Sequence, residues 1–209
     1  MEKIKILILV ILLMFSTSVC FSYWQEPVYK IDTGYRYDLR HPDKDIYFVS
    51  LQASLEYEDL FEDLDVIIRP FVNFNWNQDR NIWEHKELAV ALDVPLTDWF
   101  TLTQDVRASW YKEDMRNYGI IEKEYFTESA TTILLKHVLL DNTKLKLEGF
   151  FANTYLFNLD KGEATRNELC VGFIFPVNEH FKSQIDWRHI DRIHYYDSDT
   201  LEALITWEF

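Results

Sequence analysis

Glycine and proline are scarce in this chain, with five of each in 209 residues, and cysteine occurs only twice. So few flexible and turn-forming residues exclude a collagen-like chain and argue against a disordered one. Two cysteines, Cys20 and Cys170, exclude a disulfide-rich scaffold. Basic residues are outnumbered 21 to 35 by acidic ones, and the resulting formal charge of −14 argues against a nucleic-acid partner.

Long apolar runs are also missing, except near the amino terminus. Lys3 and Lys5 lie at the start of an apolar run that ends at Phe15, and small polar residues follow it. This order is typical of a secretory signal peptide, and the run is shorter than the about 20 residues of a membrane-spanning helix. We therefore predict a signal peptide at residues 1–22, cleaved after Cys20 or two residues later. An uncleaved anchor and a lipoprotein acylated at Cys20 are the alternatives.

The rest of the chain shows period-two alternation in stretches of about ten residues, the length that a tilted strand needs to cross a bilayer. In the last stretch Leu201, Ala203, Ile205, Trp207 and Phe209 fall on one face, and mostly polar residues fall on the other. Successive side chains of a strand point to opposite faces, so this stretch is predicted to be a strand with one apolar face.

Nine further segments repeat the pattern, although it is blurred over residues 123–140, where a β-bulge would explain the break. The other eight lie at about 29–40, 47–57, 66–76, 87–94, 100–110, 144–157, 168–177 and 181–188. Short connections alternate with longer, acidic ones. The sequence therefore predicts an all-β fold at residues 23–209: a single antiparallel up-and-down transmembrane β-barrel of about ten strands (roughly eight to twelve), with both termini in the periplasm.

The distribution of charge favours a membrane barrel over a soluble one. Charged residues fall overwhelmingly on the polar faces, and a charge facing lipid at the midplane would cost roughly 2–4 kcal/mol. Aromatic residues cluster toward the ends of the predicted strands, as in the girdles at membrane interfaces. The alternative is a soluble periplasmic β-sandwich or lipocalin-like barrel, whose apolar face would point inward.

The ending Leu201-x-Ala203-x-Ile205-x-Trp207-x-Phe209 resembles the C-terminal signal of bacterial outer-membrane β-barrel proteins. The resemblance implies a small, porin-like barrel of a Gram-negative bacterium. It also implies that the barrel-assembly machinery reads Ile205, Trp207 and Phe209, and that outer-membrane lipid and lipopolysaccharide surround the mature protein. Small porins for acid sugars of the oligogalacturonate type are loosely similar in length and in their charged inward faces, but they have more strands than the ten predicted here.

Charged residues on the inward faces are the candidates for a functional site. One hypothesis is a narrow pore for small polar or charged solutes, in which inward bases would favour anions. The alternative is a salt-bridged plug, because side chains already fill an eight-stranded barrel and ten strands add little room. A plugged barrel would be structural or adhesive, acting through its acidic outer loops. The pore-lining candidates are Arg36, Arg69, Asp105, Arg107, Lys144, Lys146, Glu148, Arg166, Lys182, Asp186 and Arg188.

Histidines beside acids raise a third and less favoured hypothesis, a hydrolase at the outer rim. His85 lies near Glu84 and Glu87, while His189 and His194 lie near several aspartates, and a carboxylate can orient a histidine that activates water. Omptin proteases are similar in having ten strands with Asp and His near the outer rim. This chain is too short for their tall barrel and has no matching motif, and we predict neither a cofactor nor a metal site.

Overall fold

The computed structural model describes residues 27–40, 45–57, 66–77, 82–111, 125–142, 145–192 and 197–209; the predicted signal peptide, residues 1–22, lies outside them. They form ten β-strands: β1 Val28–Asp38, β2 Ile46–Ser54, β3 Ile67–Asn77, β4 Ile82–Thr97, β5 Phe100–Tyr111, β6 Tyr125–Asp141, β7 Lys146–Asn158, β8 Glu163–Pro176, β9 Phe181–Arg192 and β10 Ser198–Glu208. No helix among these residues is long and apolar enough to cross a membrane, a finding that says nothing of strands.

The ten strands close into one antiparallel barrel. Each strand pairs with the next in sequence, and β10 pairs with β1. The closing ladder runs from Lys30 opposite Glu208 to Asp38 opposite Thr200. Beyond it, Tyr29 and Phe209 exchange two backbone hydrogen bonds of 2.9 and 3.0 Å. The predicted fold class, an up-and-down barrel of ten strands, is confirmed.

The up-and-down order divides the connections between two ends of the barrel. The end that contains Pro27 and Phe209, here called the terminal end, carries the two-residue turn Asp98–Trp99 and the turn at residues 177–180. The other end, called the distal end, carries a turn at residues 159–162 and the link between β5 and β6 at residues 112–124. Three of the four terminal-end links have two to four residues, but the link between β2 and β3 spans residues 55–66, and two distal links, at 78–81 and 159–162, also have only four residues. The predicted alternation of short and longer links is therefore not uniform.

Burial is inverted relative to a soluble barrel. Polar side chains that point into the lumen are buried; Glu87, Glu128 and Glu202, for example, are only 7%, 2% and 3% exposed. Large apolar side chains point outward and remain exposed over the whole circumference: Leu51, Phe74, Leu92, Ile133, Val171, Phe173, Ile185, Leu201 and Ile205. The period-two alternation of the sequence therefore corresponds to an apolar outer wall around a polar lumen.

Aromatic side chains form pairs near both ends of the outer wall. At the terminal end the pairs are Tyr29–Phe209, Trp207–Phe209 and Trp99–Phe100, with ring centroids 6.0, 5.8 and 6.1 Å apart. At the distal end they are Trp76–Trp83 and Trp110–Tyr125, at 5.9 and 5.4 Å. In the part of the chain that the structure describes, a belt without such pairs lies between these two rings of aromatic residues.

Shifts in strand register explain where the sequence alternation fails. The ladder between β6 and β7 shifts between Val138 and Leu140, which is the bulge predicted in residues 123–140. Two further shifts interrupt the β3–β4 and β7–β8 ladders near the distal end. The second strand of each ladder extends further toward the distal end than predicted: β4 begins at Ile82, not near 87, and β8 begins at Glu163, not near 168. The extra residue of a bulge exchanges the inward and outward positions beyond it. The alternation in the sequence is therefore interrupted there, although the strand continues.

Candidate functional site: an ion-paired lumen

The predicted lining residues lie on the inward face of the wall wherever the structure describes them. Lys144 lies outside the described residues. The described candidates that face the lumen are Arg36 on β1, Arg69 on β3, Asp105 and Arg107 on β5, Lys146 and Glu148 on β7, Arg166 on β8, and Lys182, Asp186 and Arg188 on β9. They do not form one cluster, because ion pairs divide them into two networks and a separate terminal-end group.

The first network spans β2 to β5 and centres on Arg107. Its guanidinium group holds Asp105 through Nε and Nη2, at 2.8 and 2.5 Å, and reaches Glu87 through Nη1 at 3.0 Å. Asn73 donates to the other oxygen of Glu87 at 3.2 Å and accepts from Ser50 at 2.7 Å. A continuous polar chain therefore covers the inner wall of four adjacent strands.

The second network spans β8, β9, β10 and β1. Arg36 Nε lies 2.8 Å from Glu202 Oε2, and Arg166 Nε lies 2.7 Å from Glu168 Oε1. Arg188 lies between these two pairs, with nitrogens 3.9 Å from Glu202, from Glu168 and from Asp186. Bases and acids thus alternate along the wall that faces the first network.

The two networks come together across the lumen. Arg166 on β8 interacts electrostatically with Glu128 on β6 and with His85 on β4, four strands away around the ring. Glu128 lies between the networks, and its one hydrogen bond among the described residues comes from Ser109 at 3.5 Å. Buried charged side chains thus project from facing walls at this level of the lumen, which we call the constriction.

Toward the terminal end the lumen widens into a vestibule, a cavity of about 700 Å³ between β6 and β10. Glu148 anchors its inner part, with Lys136 and Lys146 at 2.7 and 3.0 Å from its two oxygens. Lys182 pairs with Glu208 at 2.5 Å near its mouth. Positive and negative side chains alternate here as well.

A separate ion pair lies on the inner wall formed by β3 and β4, toward the terminal end. Arg69 binds both oxygens of Asp93, at 2.9 and 3.3 Å, and Thr103 donates to Asp93 at 2.6 Å. The guanidinium of Arg69 also lies 5.4 Å from the ring of Phe71. These bonds connect β3, β4 and β5 on the inner wall.

Several charged lumen residues of the site were absent from the predicted pore-lining set: Glu87, Glu128, Lys136, Glu168, Glu202 and Glu208. Glu128 and Lys136 lie in β6, where the alternation is blurred, so the sequence did not show which face they occupy. The structure gives the signal that would have found them: Glu128 is paired in register with Arg107, an inward residue of β5.

The histidines considered for catalysis are not brought together. His85 faces the lumen, where it lies 3.3 Å from Glu87 and within 3.3 Å of Asn75. His189 lies on the outer face near the distal end, where it stacks on Trp187 and binds Asp199 at 2.7 Å. The side chain of Glu84, and the whole of His194, lie outside the described residues.

Acidic residues near the distal end bind the ends of the strands. Asp45 accepts hydrogen bonds from the Tyr35 hydroxyl at 2.8 Å and from a backbone N–H of β1 at 2.9 Å. Asp160 accepts one from the backbone of Thr127 at 2.7 Å, and Asp199 pairs with Arg40. In the described ranges no three His, Cys, Asp or Glu side chains are grouped in a way that would hold a metal ion.

No protein-family model matches the sequence, and no curated protein matches it. Solved structures do resemble the barrel. The KdgM porin is 8% identical, with 86% of this chain and 99% of that chain covered at a TM-score of 0.50. The NanC porin is 10% identical, with 86% of this chain and 98% of that chain covered at a TM-score of 0.49. A bacterial polysaccharide outer membrane secretin is 13% identical, with 89% of this chain and 67% of that chain covered at a TM-score of 0.46. At this identity the likeness concerns the fold alone: the chain folds as a porin-like β-barrel.

Proposed function

We propose that this chain is an integral β-barrel of the bacterial outer membrane and forms a narrow channel for small polar or charged solutes. One observation carries the proposal: an apolar outer wall encloses a polar, ion-paired lumen. Exposed side chains such as Phe173, Ile185 and Ile205 are unfavourable over so large an area in water and favourable in lipid. Buried charges along the inside provide a polar pathway.

The dimensions of the wall support membrane insertion. Strands run from 9 residues in β2 to 17 in β6, and a tilted strand needs about 9–11 residues to cross the hydrocarbon core. The aromatic pairs at both ends fit the two membrane interfaces. Closure of the ring leaves no strand edge with backbone groups unpaired in lipid.

We place the terminal end in the periplasm, because three of its four links have four residues or fewer and the periplasmic turns of outer-membrane barrels are short. The distal end would then lie in the lipopolysaccharide layer, and outer-membrane lipid would contact the apolar belt. Ile205, Trp207 and Phe209 would be read by the assembly machinery before β10 closes the ring. A catalytic role is not part of the proposal, since His85 and His189 lie on opposite faces of the wall.

A solute entering from the terminal end would meet the vestibule first and the constriction next. Because bases and acids alternate along both, we expect selection by size more than by the sign of charge. Arg107 is the largest side chain of the first network, and Asp105 and Glu87 hold its guanidinium on the inner wall, so we expect its size to limit the passage.

Single-channel recording in planar bilayers tests the proposal. We expect small, regular conductance steps from the wild type and larger ones from Arg107→Ala, which shortens a side chain at the constriction. Lys86→Ala is the matched control, because Lys86 is an exposed base on the outer face and its removal leaves the lumen unchanged. A change of migration on boiling would show that each variant is folded.

A second candidate, a plugged barrel acting through its distal rim, is favoured by the meeting of the two networks at Arg166 and Glu128. If folded wild type and Arg107→Ala both fail to give steps, the channel is wrong and the plugged barrel is the better description. If the protein is extracted from cells as a soluble periplasmic protein, both candidates are wrong.

A further inference from the structure

The outer wall carries amide side chains on one side of the barrel only. Among the described strand residues, the outward-facing amides are Gln104 on β5, Asn153 on β7 and Asn167 on β8. The intervening strand, β6, presents Ser129 and Thr131 outward, in register with β5. We call these five residues the polar stripe. The outward positions of the opposite wall are mainly apolar, as in β10 and β2.

The stripe lies within the belt between the two aromatic rings. On β6, the outward positions run from Tyr125 in the distal ring through Ser129 and Thr131 to the region of Trp99, whose carbonyl accepts a hydrogen bond from the backbone of Lys136. In the membrane location that we propose above, on which this inference rests, the stripe faces the hydrocarbon core.

Part of the stripe satisfies its own hydrogen bonds. The Gln104 amide donates to Ser129 Oγ at 2.8 Å and to the Ala130 carbonyl at 3.1 Å, and it accepts from Thr131 Oγ1 at 2.6 Å. These bonds hold the stripe in place on β5 and β6, and they leave Gln104 itself exposed on the surface.

Another part of the stripe keeps hydrogen-bonding capacity. Asn153 donates through Nδ2 to Asn167 Oδ1 at 3.1 Å and to the Glu168 carbonyl at 3.3 Å. Within the described ranges, Asn153 Oδ1 accepts no hydrogen bond and Asn167 Nδ2 donates none. Lipid chains offer no partner for either atom, so such groups are costly on a lipid-facing wall.

We propose that the polar stripe is the interface at which a second copy of this chain binds, giving a homodimer in the membrane. In a two-fold arrangement identical patches face each other, and an amide, having both donors and an acceptor, is complementary to itself. Between membrane segments, hydrogen bonds and close packing of small side chains drive association. The small side chains of Ser129 and Thr131 on the outer face of β6 allow such an approach.

Energy transfer between labelled copies in phosphatidylethanolamine–phosphatidylglycerol vesicles tests the dimer. The full chain is labelled with donor and acceptor dyes and diluted with lipid to obtain a dissociation constant. We expect transfer that unlabelled chain competes away. In the variant Gln104→Leu/Asn153→Leu/Asn167→Leu, we expect a dissociation constant at least about tenfold higher, since several interface hydrogen bonds are lost.

Thr33→Leu is the matched control, because Thr33 is an exposed polar residue on the outer face of β1, opposite β6 in the ring. It should associate like the wild type. The dimer is overturned if the wild type shows no competable transfer, or if the triple variant associates as tightly as the control. Flotation with vesicles and the boiling shift report insertion and folding separately, so failure of the membrane location is distinguished from failure of the dimer.

Discussion

The carboxylate of Glu128 differs from the acids of the two lumen networks in having no ion pair with any described residue. It is 2% exposed, and its hydrogen bond from Ser109 is long, at 3.5 Å. Glu87, which is buried to a similar degree, lies 3.0 Å from Arg107. Two buried glutamates in one lumen thus differ in their pairing: Glu87 has a direct ionic partner, whereas Glu128 has only the more distant charges of Arg166 and Arg107. Removing a charge from water is costly unless a partner compensates for it.

We expect opposite effects from neutralising the two glutamates. Glu128→Gln keeps the size and the contact with Ser109 and removes a buried charge that has no direct ion pair, so the free energy of unfolding should rise by about 1–3 kcal/mol. Glu87→Gln breaks the pair with Arg107 and should lower the free energy of unfolding by a similar amount. Urea unfolding of vesicle-inserted protein, followed by tryptophan fluorescence, measures both; equal signs would contradict this account of the constriction.

At the scale of elements, Gly172 on β8 lies in register with Asp186 on β9 and leaves no space for a side chain between the two strands. A Cβ atom at position 172 would overlap the Ile185 carbonyl oxygen and lie 2.6 Å from the Cβ of Asp186. Neither of these atoms can move without shifting β9. At Gly149 on β7, an added Cβ would meet only the side chain of Leu139, at 2.9 Å.

Gly172→Ala should therefore destabilise the barrel more than Gly149→Ala. We expect losses of about 1–3 kcal/mol at position 172, where backbone must shift, and under about 1 kcal/mol at position 149, where a flexible side chain can turn away. The same urea titration measures both variants. Equal losses would show that the approach of β8 to β9 is not the limiting contact.

The number and faces of the strands were predictable because alternation depends only on near neighbours in sequence. β10 shows this: Leu201, Ile205 and Trp207 are all exposed on the outer face, as predicted. The distal extensions of β4 and β8 were not predictable, because bulges reverse the alternation before the strands end. The faces of charged lumen residues followed from the same pattern, except in β6.

The partners within the lumen were not predictable, since they depend on register and on closure of the ring. Arg36 and Glu202 are 166 residues apart and form a pair only because β1 lies beside β10. The polar stripe was missed for another reason. Charged residues mark the inward face of a strand in the sequence. Uncharged amides such as Gln104 and Asn153 do not, so the sequence does not show that they form a polar patch on the outer wall.

On the scale of the whole molecule, the seam between β1 and β10 turns a curved sheet into a barrel. Phe209 is the last residue of this seam: it exchanges two backbone hydrogen bonds with Tyr29 and stacks on the ring of Tyr29 at 6.0 Å. Trp207, its neighbour on the outer face, lies 5.8 Å away. The same residue is thus a structural contact in the barrel and the predicted assembly signal.

Deletion of Phe209 separates these two roles. The structural role predicts a modest loss, because two hydrogen bonds at the end of a nine-pair ladder are removed; refolding into vesicles should still give a boiling shift, with the unfolding midpoint lowered. The signal role predicts a larger loss in cells, where the folded fraction in the outer membrane should fall several-fold while unfolded chain accumulates in the periplasm.

Phe209→Tyr is the control, since it keeps the backbone bonds and an aromatic ring and should refold in vesicles like the wild type. If the deletion lowers the folded fraction equally in vesicles and in cells, Phe209 acts through the seam and the signal role is wrong. If it lowers neither, the ladder from Lys30 to Asp38 closes the barrel without it, and both roles are contradicted. A loss confined to cells would assign Phe209 to recognition, because the lipid-driven closure of β1 on β10 is then intact.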